Sequence, residues 1–68
     1  MTDKPMTPIE ALHYALDEER KAYSFYTRQA KAAEHQSARK MFEFLAAQEK
    51  EHIKLIEDEL DKGFYQGM

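Results

Sequence analysis

Two stretches of this sequence carry mostly apolar residues at alternating spacings of four and three, a periodicity that indicates amphipathic α-helices. Neither stretch contains a glycine or a proline. The two stripes consist of Leu12, Leu16, Glu19, Tyr23, Tyr26, Ala30 and Ala33, and of Ala38, Phe42, Leu45, Glu49, His52 and Ile56. The sequence therefore predicts an all-α fold built on two long helices.

Start and stop signals give the predicted bounds of these helices. Thr7 occupies the N-cap position, Pro8 the first helical position, and Glu10 completes a capping box. After a short break, Ser37 offers an N-cap for the second helix, and Gly63 is expected just beyond its C-terminus. We predict one domain over residues 1–68, with a helix at 8–33, a turn at 34–37, a helix at 38–62 and a tail at 63–68.

The short break between the helices predicts an antiparallel hairpin, and the two stripes supply its register. In such a hairpin, residues at one height have position numbers with a constant sum. The stripes meet this condition in six layers, namely Leu12 with Ile56, Leu16 with His52, Glu19 with Glu49, Tyr23 with Leu45, Tyr26 with Phe42, and Ala30 with Ala38. We therefore expect Glu19 to face Glu49, with His52 one layer away.

Charged side chains inside an apolar seam need a physical reason, because an unpaired charge there is costly. One hairpin supplies two carboxylates and one imidazole, too few ligands for two metal ions. Two hairpins related by a two-fold axis supply four glutamates and two histidines, the ligand set of di-iron carboxylate bundles. Carboxylates with imidazole suit iron, with manganese as an alternative. We predict Glu49 as a bridging ligand, Glu19 as a terminal ligand and His52 as the nitrogen ligand, in a homodimeric four-helix bundle.

Tyr23 and Tyr26 follow Glu19 in the same stripe, towards the turn. A phenol at either position could hydrogen-bond a ligand carboxylate or lie beside the metal. Core packing is the favoured interpretation, since tyrosines at helical spacing are typical of a core. Glu10 and His13 repeat the Glu-x-x-His spacing outside the stripe, which indicates a solvated first turn, with an outer metal site as the alternative.

A further set of large apolar residues falls outside the two stripes and predicts a second contact surface. Its members are Phe25, Met41, Phe44 and Leu55. We expect this surface to make oligomer contacts beyond a single pair of hairpins.

Composition narrows the function classes. The absence of cysteine excludes disulfides, zinc–thiolate sites, iron–sulfur clusters and a rubredoxin-type iron site. A domain of 68 residues then depends on a metal or a partner for stability. The net charge of -3, with lysines interspersed among acids, argues against nucleic acid as a partner. Without a signal peptide or a membrane-length apolar run, we expect a cytoplasmic protein, or one inside a protein compartment.

The segment from Glu19 to Tyr26, followed by the segment from Phe42 to His52, resembles the ferritin-like superfamily. The nearest likeness is to the rubrerythrin di-iron domain and the encapsulated ferritins, over roughly residues 9–60. Its specific parts are Glu19, the Phe-Tyr pair that ends at Tyr26, and the Glu-x-x-His motif of Glu49 and His52. The resemblance implies that Glu19, Glu49 and His52 are iron ligands and the catalytic residues of ferroxidase or peroxide-reducing chemistry.

The sequence departs from a complete rubrerythrin in two respects. A rubrerythrin bundle has four helices in one chain together with a rubredoxin module, whereas this sequence predicts two helices and has no cysteine. Two-helix chains that dimerise to build the site resemble encapsulated ferritins, which dock inside a protein shell through a C-terminal peptide. No such peptide is identifiable in residues 63–68. The resemblance therefore implies a homodimer or a multiple of it, with a protein shell as a further candidate partner.

Two other functions fit the same residues. One is a non-enzymatic protein that binds or delivers iron through the same site. The other is a purely structural helical dimer in which the polar layer sets the register and no metal binds. Bound iron would exclude the structural dimer, and turnover of Fe(II) with an oxidant would separate the enzyme from the delivery protein.

Overall fold

Two helices packed as an antiparallel hairpin form the fold. A computed structural model describes residues 5–63, with α1 at Pro8–Ala32 and α2 at Gln36–Asp61. The predicted all-α hairpin is therefore confirmed. Residues 64–68 of the predicted tail lie outside the described residues.

The N-terminus of α1 has the predicted capping box. The Thr7 hydroxyl accepts a hydrogen bond from the Glu10 amide at 3.3 Å, and the Glu10 carboxylate accepts one from the Thr7 amide at 3.0 Å. Pro8 follows the cap directly. These bonds satisfy donors that would otherwise lack a partner at the helix start, which explains why α1 begins here.

The turn differs from the prediction. Residues 33–35 connect the helices, so α2 begins at Gln36 and Ser37 lies inside its first turn. The predicted Ser37 N-cap is wrong, because His35 occupies that position and makes no side-chain capping bond. The Arg39 guanidinium instead donates to the Ala33 carbonyl at 3.0 Å, which satisfies an acceptor at the end of α1. This bond links the first turn of α2 to the end of α1.

The C-terminus of α2 follows the expected glycine pattern. Lys62 is the C-cap, and Gly63 has a φ of 75°. The Gly63 amide donates to the Leu60 carbonyl at 3.1 Å. A positive φ is unfavourable for residues with a Cβ atom, so glycine suits the position after the helix. The predicted role of Gly63 is confirmed.

The two stripes form the interface between the helices. Leu16 and Ala30 are buried, with 6% and 8% exposure, and the other stripe residues except His52 are half-buried. Tyr26 stacks on Phe42 with ring centroids 6.4 Å apart, which places these two residues in one layer as predicted. A hairpin with so thin a core gains little from apolar burial.

Neither helix in residues 5–63 has the length and apolar character that a membrane span requires.

Candidate metal centre

Glu19, Glu49 and His52 converge in the middle of the hairpin. Glu49 and His52 are three residues apart on α2, so their side chains lie next to each other on its surface. Glu19 faces them from the middle of α1. One ligand atom from each residue lies within 4.8 Å of the others. The structure therefore brings together all three residues that the sequence predicts as ligands.

The nitrogen of this cluster faces both carboxylates. His52 Nδ1 lies 3.3 Å from Glu19 Oε2 and 3.6 Å from Glu49 Oε2. Side-chain exposure rises from 17% for Glu49 through 29% for Glu19 to 49% for His52. The cluster is therefore open to solvent on the side of His52 and closed on the side of Glu49.

One carboxylate oxygen in the cluster, Glu49 Oε2, is buried and has no hydrogen-bond partner in the part of the chain that the structure describes. Burial of an unpaired carboxylate oxygen is costly, and native proteins satisfy the large majority of such atoms. A cation between Glu49, Glu19 and His52 would use this oxygen as a ligand. The donor set of two carboxylates and one imidazole therefore fits a transition-metal ion such as iron or manganese.

The two basic side chains that follow Glu19 in the sequence pair with other acids. Arg20 pairs with Glu57 across the hairpin at 2.9 Å. Lys21 lies 3.3 Å from Glu18 and 3.4 Å from Asp17. The pKa of Lys21 is raised, first by its hydrogen bond to Glu18 and then by its hydrogen bond to Asp17. Within residues 5–63, the structure records no lysine or arginine paired with Glu19 or Glu49, and the basic group recorded beside both carboxylates is the His52 imidazole.

The two tyrosines near the cluster are placed for packing. Tyr26 stacks on Phe42 and meets the edge of Phe25 at 5.6 Å. Tyr23 lines a shallow groove with Thr27 and Ala30. Among the described residues, neither phenol is recorded in a hydrogen bond to a ligand carboxylate. A role for Tyr23 or Tyr26 beside the metal stays a prediction.

The second Glu-x-x-His pair belongs to a helix start. The Glu10 carboxylate is held in the capping box by the Thr7 amide, and His13 is exposed. In the part of the chain that the structure describes, the group of three or more metal-ligand side chains is Glu19, Glu49 and His52. This supports the solvated first turn over the outer metal site.

The ion pair between Arg20 and Glu57 was not predicted from the sequence. It joins α1 to α2 beside Glu19, with both side chains about half exposed. The pair lies outside the apolar stripes, and opposite charges alone are too common on helix surfaces to reveal a partner 37 positions away. It adds a cross-helix contact near the cluster.

Comparisons with known proteins agree with this geometry. The family model described as Rubrerythrin matches residues 10–67. An uncharacterized protein from Archaeoglobus fulgidus is 40% identical over 55 residues, which cover 81% of this chain and 86% of that protein. No solved structure matches the chain. Since the family model covers most of the sequence and both helices, this chain belongs to the rubrerythrin family, within the ferritin-like superfamily.

Proposed function

We propose that this protein binds iron in a di-iron carboxylate site shared by two copies of the chain and oxidises Fe(II) with O2 or peroxide. The observation that carries the proposal is the buried Glu49 Oε2, which lies beside Glu19 and His52 and has no hydrogen-bond partner among the described residues. Membership of the rubrerythrin family adds to it, because domains of this family typically bind iron.

The three residues would have different tasks at a metal. Glu49 is the least exposed, and its unsatisfied oxygen suits a ligand that bridges two ions. Glu19 would bind as a terminal carboxylate, and His52 would bind through Nδ1, the nitrogen that faces both acids. Bound iron would supply the redox chemistry with the oxidant. Four carboxylates from two copies would stabilise the higher charge of the ferric product.

Two features of the hairpin support a shared site. One copy offers three ligand side chains, whereas the ferritin-like di-iron set has six, four glutamates and two histidines. His52 is 49% exposed in the single copy, so the cluster is open on one side. A second copy placed there would complete the set and close the four-helix bundle.

Stopped-flow absorbance can test the proposed oxidation. Anaerobic protein is mixed with Fe(II) and either air-saturated buffer or peroxide, and the rate of ferric product formation is compared with buffer alone. We expect wild-type protein to be faster than buffer and His52→Ala to lose most of the acceleration. His13→Ala and His35→Ala are matched controls, since both residues are exposed and lie away from the cluster.

The outcomes separate the three functions. Acceleration lost in His52→Ala and kept in the two controls supports the oxidase. Iron binding by wild-type protein without acceleration over buffer would overturn the oxidase and support binding or delivery. A protein that takes up no iron would be the structural dimer.

A further inference from the structure

Four of the six large apolar side chains that are exposed among the described residues repeat around Glu19 and Glu49. On α1, Tyr14 and Phe25 are five residues before and six residues after Glu19. On α2, Phe44 and Leu55 stand at the same offsets from Glu49. Their exposures are 57%, 46%, 58% and 66%. The same pattern on both helices places one apolar layer on each side of the metal centre.

These four residues lie on the face of the hairpin that carries His52. A step of three residues turns a helix about 60° short of one full turn, and a step of six leaves it about 120° short of two turns. On α2, His52 and Leu55 are therefore rotated about the helix axis in the same direction from Glu49. On α1, Phe25 is rotated in that direction from Glu19. In an antiparallel pair of right-handed helices, the same sense leads to one common face. The open side of the cluster is thus flanked by apolar side chains.

Charge is distributed unevenly along the hairpin on either side of the ligand layer. The turn half, residues 20–48, has six basic and two acidic side chains. The other half contains the start of α1 and the end of α2, residues 5–18 and 50–63, and is called the open half because no turn joins the helices there. It has three basic and eight acidic side chains. Two copies side by side in the same direction would set like charges against each other. Two copies in opposite directions set the positive turn half of each against the negative open half of the other.

The position of the site permits the opposite arrangement at full overlap. Glu19 is close to the middle of α1, Pro8–Ala32, and Glu49 is close to the middle of α2, Gln36–Asp61. If a two-fold axis passes through the ligand layer perpendicular to the helices, the helices of the two copies therefore overlap along their full length. This axis reverses the direction of each helix in the second copy. A residue five positions before a ligand glutamate in one copy therefore lies opposite a residue about six positions after the same glutamate in the other copy. The exposed apolar residues meet each other under this operation, which makes the face self-complementary.

We propose that a second copy docks on this face in the opposite direction, with Phe44 against the partner's Leu55 and Tyr14 against the partner's Phe25. This inference rests on the proposed shared site and specifies how the two copies meet. It revises the expectation from the sequence that Phe25, Phe44 and Leu55 make contacts beyond one hairpin pair. They would instead flank the metal centre and exclude water from it.

Disulfide cross-linking tests the orientation directly, because the chain has no cysteine. Single variants Phe44→Cys and Leu55→Cys are mixed in equal amounts, oxidised mildly and analysed on a non-reducing gel. We expect a covalent dimer in this mixture. Phe44→Cys alone should stay monomeric on the gel, since two equivalent positions would be about 16 Å apart and a disulfide needs Cα atoms within about 7 Å.

Two further mixtures serve as controls. Phe44→Cys with Phe25→Cys would cross-link if the copies ran in the same direction, because these positions share one layer of the hairpin. Leu55→Cys with Glu43→Cys reports random collision, since Glu43 is exposed, lies about 100° around α2 from Phe44 and lines the groove that Tyr23 also lines. A covalent dimer in the Phe25→Cys mixture in place of the Leu55→Cys mixture would overturn the proposal. The absence of cross-links in every mixture, together with no recovery of association in a chain that carries both Phe44→Lys and Leu55→Glu, would overturn it too.

A charge pair keeps the test decisive if the cysteine variants weaken association. Phe44→Lys and Leu55→Glu should each dissociate the dimer in sedimentation velocity, at least tenfold by dissociation constant, and the chain with both changes should recover association. Recovery requires the introduced charges to meet across the axis, so a double variant as monomeric as the singles contradicts the orientation. Iron content of wild-type protein is measured in parallel. Iron binding without the expected cross-link rejects this interface alone, whereas a cross-linked dimer without iron rejects the proposed function.

Discussion

At the scale of single residues, the feature that most favours a bound metal is the side-chain carboxylate of Glu49. Glu49 is mostly buried, and its Oε2 has no hydrogen-bond partner within residues 5–63. Arg20 and Lys21 pair with other acids, and His52 Nδ1 lies 3.6 Å from this oxygen. Such an arrangement is unfavourable in a metal-free hairpin and favourable around a cation.

Glu49→Gln should therefore remove more iron than a similar change on the exposed side of the same helix. The amide keeps the shape of the side chain and abolishes its charge, so the bridging ligand is lost while packing is preserved. Glu51→Gln is the matched control, because Glu51 is exposed and lies two positions away. Iron per chain is measured by elemental analysis after purification without chelator. Equal iron content in the two variants would place the metal elsewhere.

At the scale of the helices, the signals at their ends differ in strength. The capping box at Thr7 was readable from the sequence because both partners lie within four residues of each other. The start of α2 was not, because its N-cap residue is His35, which makes no side-chain capping bond, whereas Ser37 carries the cap signal in the sequence but lies inside the helix.

The two N-termini should respond differently to loss of a hydroxyl. Thr7→Ala removes a capping bond and should lower the free energy of unfolding by about 1 kcal/mol. Ser37→Ala should change it little, since Ser37 lies inside α2 and caps nothing. Urea denaturation followed by circular dichroism measures both. A larger loss from Ser37→Ala than from Thr7→Ala would show that the second helix starts where the sequence alone suggested.

The register of the hairpin and the ligand cluster were predictable for one reason. Leu16, Tyr26 and Phe42 repeat with a period that both helices share, so the seam fixes which glutamates meet. The unsatisfied Glu49 oxygen and the closeness of His52 Nδ1 to both acids needed the structure, because they depend on side-chain rotamers. The sequence placed Phe25 and Leu55 outside the seam, and helix geometry then places them beside the cluster.

At the scale of the whole molecule, folding, association and metal binding should be coupled. The hairpin has little buried core, with Leu16 and Ala30 as its buried hydrophobic residues among those described. Two copies would add apolar contacts but would also bring four carboxylates into one layer. Those charges repel each other in a low-dielectric interior unless cations or protons balance them. The metal-free dimer should therefore be the weaker one at neutral pH.

Anaerobic Fe(II) should raise the melting temperature of the wild-type protein. A ligand that binds only the assembled state stabilises it by about 2.7 kcal/mol at a free concentration about 100 times its Kd. For a domain of this size, that stabilisation corresponds to a rise of roughly 10 °C or more. Glu49→Gln should show a much smaller rise. Identical melting curves with and without Fe(II) would favour a structural dimer whose polar layer needs no metal.

Native mass spectrometry of protein purified without chelator tests the shared iron site most directly, because it reports the number of chains and the number of irons in one particle. We expect a dimer, or a multiple of it, with two irons for every two chains, and loss of those irons in Glu49→Gln. A single chain that retains iron, or a dimer whose iron content is unchanged in Glu49→Gln, would contradict it.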